Sequence, residues 1–104
     1  MSEEQAKVKI TVLKVFKPEE VFKEPPVKTK EPRPCPLHKE GQTFLLDGYN
    51  QPEGVCGFAW SVIMPWAAML RNHGDLKWYY EETGACVIGC PDGLRPVIFK
   101  VERV

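Results

Sequence analysis

Residues 83–104 read TGACVIGC-PDGL-RPVIFKVERV, and this stretch decides the fold. Two apolar runs, 83–90 and 95–104, flank Pro91-Asp92-Gly93-Leu94. Asp-Gly readily adopts the backbone angles of a reversing turn, so the two runs are expected to pair as an antiparallel hairpin. In the second run Val97, Phe99 and Val101 alternate with Ile98, Lys100 and Glu102. That period of two marks a strand with one face buried.

Working outward, residues 7–16 (KVKITVLKVF) begin with the same alternation. Val8, Ile10 and Val12 point one way, Lys7, Lys9 and Thr11 the other, and the shift at Leu13 and Val15 predicts a bulge or twist. Residues 18–22 read as one helical turn, with Pro18 early and acids in the first turn. Residues 41–46 (GQTFLL) form a short strand ended by Asp47-Gly48. Residues 57–71 predict a helix that is apolar on almost every side, from Phe58 to Leu70, with a kink at Pro65. One small sheet covers only one side of such a helix. The remainder is therefore expected to lie under the proline-rich segment or a second subunit, which makes a homo-oligomer the expected state. The segment 24–36 carries Pro25, Pro26, Pro32, Pro34 and Pro36; it reads as an extended arm wrapping the surface and delivering Cys35. The whole is predicted to be one α+β domain over 1–104, a small, mostly antiparallel sheet of about four strands packed on one main helix.

Composition narrows the partners. Fourteen basic residues balance fourteen acidic ones, so no global field draws nucleic acid or an anionic membrane. Lys28, Lys30 and Arg33 form a basic run, but Glu24 and Glu31 interrupt it, as in a solvated linker. The longest uncharged stretch, 55–70, has 16 residues, short of the roughly 20 that span a bilayer. The N-terminal MSEEQAKVK has no apolar leader, so a cytoplasmic setting with reduced cysteines is expected.

The cysteines divide by context. Cys35-Pro36, Cys56-Gly57 and Cys90-Pro91 are turn-like, whereas Cys86 lies inside Ala85-Cys86-Val87-Ile88. If 86–90 is extended, those two alpha carbons stand about 13 Å apart, while two thiolates on one zinc lie within about 4 Å. Cys86 is therefore assigned to the core, and Cys35, Cys56 and Cys90 to a shared site. Three thiols admit three chemistries. With His38, two residues beyond Cys35-Pro36, they complete a tetrahedral zinc. Alone, or with Asp92, they hold an iron–sulfur cluster. Without metal, one becomes a nucleophile or redox group. Asp92 and Arg95 are the candidate catalytic residues, Arg95 as the anchor of a small anionic substrate, unless Glu81 or Glu82 pairs with it. His38 reads equally well as a partly exposed loop histidine, and His73 as a cation at a helix end. Trp60, Trp66, Trp78, Tyr79 and Tyr80 read as core packing rather than an aromatic pocket.

Several of these segments together resemble a known family. KVKITVLK, Cys35-Pro36 followed by GQTF, Pro52-Glu-Gly-Val-Cys56 with Ala59-Trp60, and Cys90-Pro-Asp-Gly-Leu-Arg-Pro-Val-Ile-Phe-Lys are similar to a family of uncharacterised proteins about one hundred residues long, common in anaerobic bacteria and archaea. The resemblance covers nearly the whole chain. It implies thiols at Cys35, Cys56 and Cys90 beside the Asp92–Val97 element, and does not require Cys86 or His38. Pro65 departs from it, since an uninterrupted helix is implied there. The family carries no assigned activity, so the resemblance implies a site and an anaerobic setting but no reaction. The leading expectation is metal or iron–sulfur binding, with a small redox or lyase-type role and a redox partner or small anionic substrate. The alternatives are a metal-free thiol enzyme and a small-molecule or protein-binding module with structural cysteines.

Overall fold

The computed structural model describes residues 4–30 and 32–104; Glu31 of the basic run and the first three residues lie outside it. The chain runs β1 (Val8–Val15), α1 (Pro18–Val21), β2 (Thr43–Leu46), α2 (Gly57–Arg71), β3 (Ala85–Gly89) and β4 (Val97–Arg103). The four strands form one antiparallel sheet in the order β2-β1-β4-β3. This is the expected α+β architecture.

The alternation read in the sequence becomes one apolar face. Ile10 lies opposite Val101, which lies opposite Cys86, and Val12 lies opposite Phe99, which lies opposite Ile88. Against these rows α2 lays Ala59, Ile63, Ala67 and Leu70, all buried. Their spacing of three or four residues keeps them on one side of the helix. Register shifts between Val12 and Lys14, leaving Leu13 as the extra, exposed residue of the expected bulge. The opposite face carries Lys9, Thr11, Lys100 and Glu102, as a one-sided sheet requires.

Three expectations about the surroundings are corrected. The arm does not wrap the surface along most of its length: residues 24–30 are all exposed, its end at Cys35 meets the start of α2, and the radius of gyration, 15.0 Å, exceeds the roughly 13 Å of a compact chain this long. The outward side of α2 therefore stays at the surface, with Phe58 78% exposed. The hairpin turn is also wider than predicted. Pro96 has no N–H to donate, so β4 starts at Val97, and the ladder closes with Cys90 N–H donating to the Val97 carbonyl at 3.0 Å. Finally, Trp78 and Tyr79 are exposed, while Trp60, Trp66 and Tyr80 pack on the core. Helix α2 continues through Pro65 to Arg71.

The far end of α2 is fastened by His73, expected at the helix end, and by Arg71, Arg103 and Asp75, which the sequence reading did not single out. Asn72, His73 and Gly74 close it in a Schellman pattern: the Gly74 N–H donates to the Met69 carbonyl and the His73 N–H to the Leu70 carbonyl. His73 occupies the left-handed position, φ 64°, where glycine is usual. Its Nε2 lies 2.8 Å from the Glu4 carbonyl, a contact that ties the N-terminal segment to the end of α2. Arg71, buried, donates to the Ala6 carbonyl and Gln5 Oε1, each at 3.0 Å, and stacks on Tyr49. Arg103 binds both carboxylate oxygens of Asp75 at 3.0 Å and reaches the Leu70 and Gly74 carbonyls.

Candidate functional site

A cavity of about 510 Å³ opens where the start of α2, the β3–β4 loop and the end of the arm meet. Cys35, Cys56 and Cys90 all line it, together with Asp92 and Arg95. Residues 21 and 34 positions apart in sequence from Cys35 to Cys56 and from Cys56 to Cys90 thus reach one space through tertiary folding alone. Cys86 takes no part in it. It is 2% exposed in the central apolar row, and burial pushes its thiol from 9.0 up to about 11.

Each thiol is positioned by a different device. Cys35 ends the arm and packs, half buried, on the core. Cys56 is the N-cap of α2: its carbonyl accepts the Trp60 N–H at 2.8 Å, and its side chain makes no capping bond. Cys90 sits just past β3, and its Sγ accepts the Val97 N–H at 3.2 Å. An amide donor to sulfur is one of the features that tune cluster-ligating cysteines.

His38 is buried rather than partly exposed, which corrects the loop reading. Its ring meets Phe44 and Phe99 edge to face. The Cys56 N–H donates to Nε2 at 3.3 Å, which assigns the proton to Nδ1, 3.3 Å from Gln42 Oε1. Both ring nitrogens are therefore engaged. His38 also lines the cavity; in this arrangement it holds the backbone of Cys56, and serving as the fourth zinc ligand would require it to give up one of these two contacts, which the Cys35-Pro-Leu-His38 spacing does not reveal.

Arg95 pairs with neither Glu81 nor Glu82. Its Nε donates to Asp92 Oδ2 at 3.1 Å, and Asp92 Oδ1 accepts the Leu94 and Arg95 N–H groups at 3.1 and 3.3 Å. Asp92 thereby fixes both the loop and the guanidinium at the cavity. Leu37 and Phe58 form an exposed apolar rim that the sequence reading did not assign to the site; the only signal for Phe58 was a large ring at the start of an uncharged helix.

The donor chemistry suits a soft metal, three thiols being the ligands that zinc and iron–sulfur clusters favour. The side chains are not gathered as a finished ligand set, however: among the described residues no group of three or more His, Cys, Asp or Glu side chains is arranged to hold a metal ion. No family profile, curated protein or solved structure matches the chain. Among the described residues no helix is long and apolar enough to cross a membrane.

Proposed function

We propose that the chain binds a soft transition metal, as an iron–sulfur cluster or as zinc, through Cys35, Cys56 and Cys90 in the cytoplasm. The observation that carries this reading is that the three thiols, delivered by three separate loops, line one cavity. Metal binding commonly draws ligands together as part of ordering the site, so the donors need not be gathered beforehand. Three thiols leave one coordination position for Asp92, water or a substrate. When bound, the group supplies electron transfer or Lewis-acid polarisation in a small redox or lyase-type reaction. The chain supplies the rest. Arg95, steadied by Asp92, attracts a small anionic substrate or the acidic surface of a redox partner. The Val97 N–H steadies the sulfur of Cys90.

One observation favours a second reading. Cys56 stands at the N-cap of a 15-residue helix, a place where protein thiols often act as nucleophiles. In that reading the cavity works without metal, and Cys56 is its nucleophilic thiol, with Arg95 holding an anionic substrate beside it.

Metal and acid-labile sulfide content, measured with the absorption spectrum on protein purified and reconstituted without oxygen, separates the two. The proposal expects bound metal that is lost in Cys35→Ala, Cys56→Ala and Cys90→Ala and retained in Cys86→Ala. Protein that takes up no metal, yet has one thiol reacting far faster than the others, overturns it in favour of the second reading.

A further inference from the structure

A second feature of the molecule is independent of the three thiols. Around β3 lies an open groove of about 330 Å³, walled by Tyr79, Tyr80, Glu81, Glu82 and Val87, with Lys100 of β4 and the β3 residues Ala85 and Cys86 also in its lining. Trp78 extends its aromatic wall by stacking on Tyr79, ring centroids 5.5 Å apart and planes 22° apart, and Tyr79 meets Tyr80 at 4.7 Å. Trp78 is 82% exposed and Tyr79 67%. Solvent-facing stacked rings are uncommon on a surface with no partner, since each leaves a large apolar area in water.

Flat, exposed aromatic rings beside carboxylates are the surface that recognises extended, proline-rich segments carrying basic residues. Proline rings pack on the aromatic faces. The fixed proline backbone loses little freedom on docking, and the basic side chains pair with the acids. This chain carries a proline-containing basic segment itself, bent at Pro26-Val27 and at Lys30, which would straighten on docking. Pro25-Pro26-Val27-Lys28-Thr29-Lys30 is exposed along its whole length, and Val27 is among the exposed large apolar residues. The charges complement one another, Lys28 and Lys30, which stand apart from the acid Glu24 at the start of the arm, against Glu81 and Glu82 at the groove. Lys100 does not cancel those acids, because it pairs with Glu102 at 3.1 Å.

Among the described residues, the chain's own arm contributes none to its own groove. We infer that the groove of one copy receives the proline-rich arm of a second copy, so that two chains exchange arms reciprocally. Each copy has one arm and one groove, so a two-fold pair satisfies both contacts and closes. The edge of β3 favours a side-chain contact here over strand addition, because the Tyr80 hydroxyl already engages the Val87 N–H and carbonyl. The arm ends next to Cys35, so exchange also fixes one wall of the cavity described above.

Sedimentation equilibrium of the full chain tests the inference. A dimer is expected, weakened by added salt. Trp78→Ala with Tyr79→Ala, and separately Lys28→Glu with Lys30→Glu, are each expected to raise Kd at least about tenfold. All four side chains are exposed, and circular dichroism checks that the variants fold. Adding Glu81→Lys and Glu82→Lys to the arm reversal is expected to restore the dimer. A chain monomeric at every concentration overturns the inference, as does a dimer indifferent to arm and groove changes but broken by Phe58→Glu on α2. A monomer in which arm substitutions still alter tyrosine and tryptophan fluorescence indicates docking within one chain and also overturns it.

Discussion

Cys86 is expected to react with a thiol reagent roughly a hundredfold more slowly in the folded chain than after denaturation. The perturbation is burial. Cys86 sits in the row Ile10–Val101–Cys86, 2% exposed, and its thiol rises from 9.0 to about 11. At pH 8 a thiol of the ordinary value is about 10% ionised and one near 11 about 0.1%, and only the thiolate attacks. Access slows it further, because the reagent must wait for β3 to open. That strand is bonded in the sheet only to β4, and on its free edge the Tyr80 hydroxyl holds Val87. Opening is therefore local, and Tyr80→Phe is expected to hasten it. The assay is time-resolved alkylation at pH 8, with each cysteine followed by peptide mass, in native buffer and in denaturant. Cys35, Cys56 and Cys90, all partly exposed, are expected to form the accessible set. Equal labelling of Cys86 in protein that is folded by circular dichroism refutes the division of the thiols, and with it the three-thiol cavity. The sign of the shift has a second consequence. Cys86 contributes stability in full below pH 9.0, and this is lost as pH rises toward 11.

Further expectations concern the fastenings of the fold. A Cβ on Gly74 comes 2.6 Å from Met69 Cγ and 3.0 Å from the Met69 carbonyl oxygen, so Gly74→Ala is expected to cost about 1–3 kcal/mol in thermal or chemical unfolding, only partly recovered by Met69→Ala. The Gly84 N–H, followed by Arg103, holds the Asp75 carboxyl below its usual 3.8. A lowered carboxyl stabilises the fold above its unfolded value and loses that contribution as pH falls through its folded one, so melting temperature is expected to drop below about pH 4 more steeply in the native chain than in Asp75→Asn. His38→Ala strips the acceptor from the Cys56 N–H and opens space between Phe44 and Phe99. It is expected to lower stability by about 1–3 kcal/mol while leaving the metal content of the folded fraction unchanged; loss of metal at full stability identifies His38 as a ligand instead.

Much of this was legible from one dimension. The alternation at Val8, Ile10 and Val12 and at Val97, Phe99 and Val101 placed β1 and β4, and the Asp92-Gly93 turn joined β3 to β4, because strand period and turn chemistry are local properties. The extent of α2, 57–71, followed from a long uncharged, mostly apolar run. The separation of Cys86 from the other thiols followed from strand geometry. The width of the β3–β4 loop was misjudged because Pro96 and the Asp92–Arg95 contact shape it together.

What the sequence determined by itself, then, was the set of elements and which side of each is apolar, since these depend on neighbours two to four residues away. Tertiary structure alone decided the rest. It buried His38 and turned its lone pair to the Cys56 amide, paired Arg95 with Asp92 and Arg103 with Asp75, and left residues 24–30 of the arm and the Trp78–Tyr79 stack exposed. It also brought Cys35, Cys56 and Cys90 to one cavity. Each of these outcomes depends on groups far apart in the chain, and their distance in space is fixed only when the sheet and α2 close on a common core.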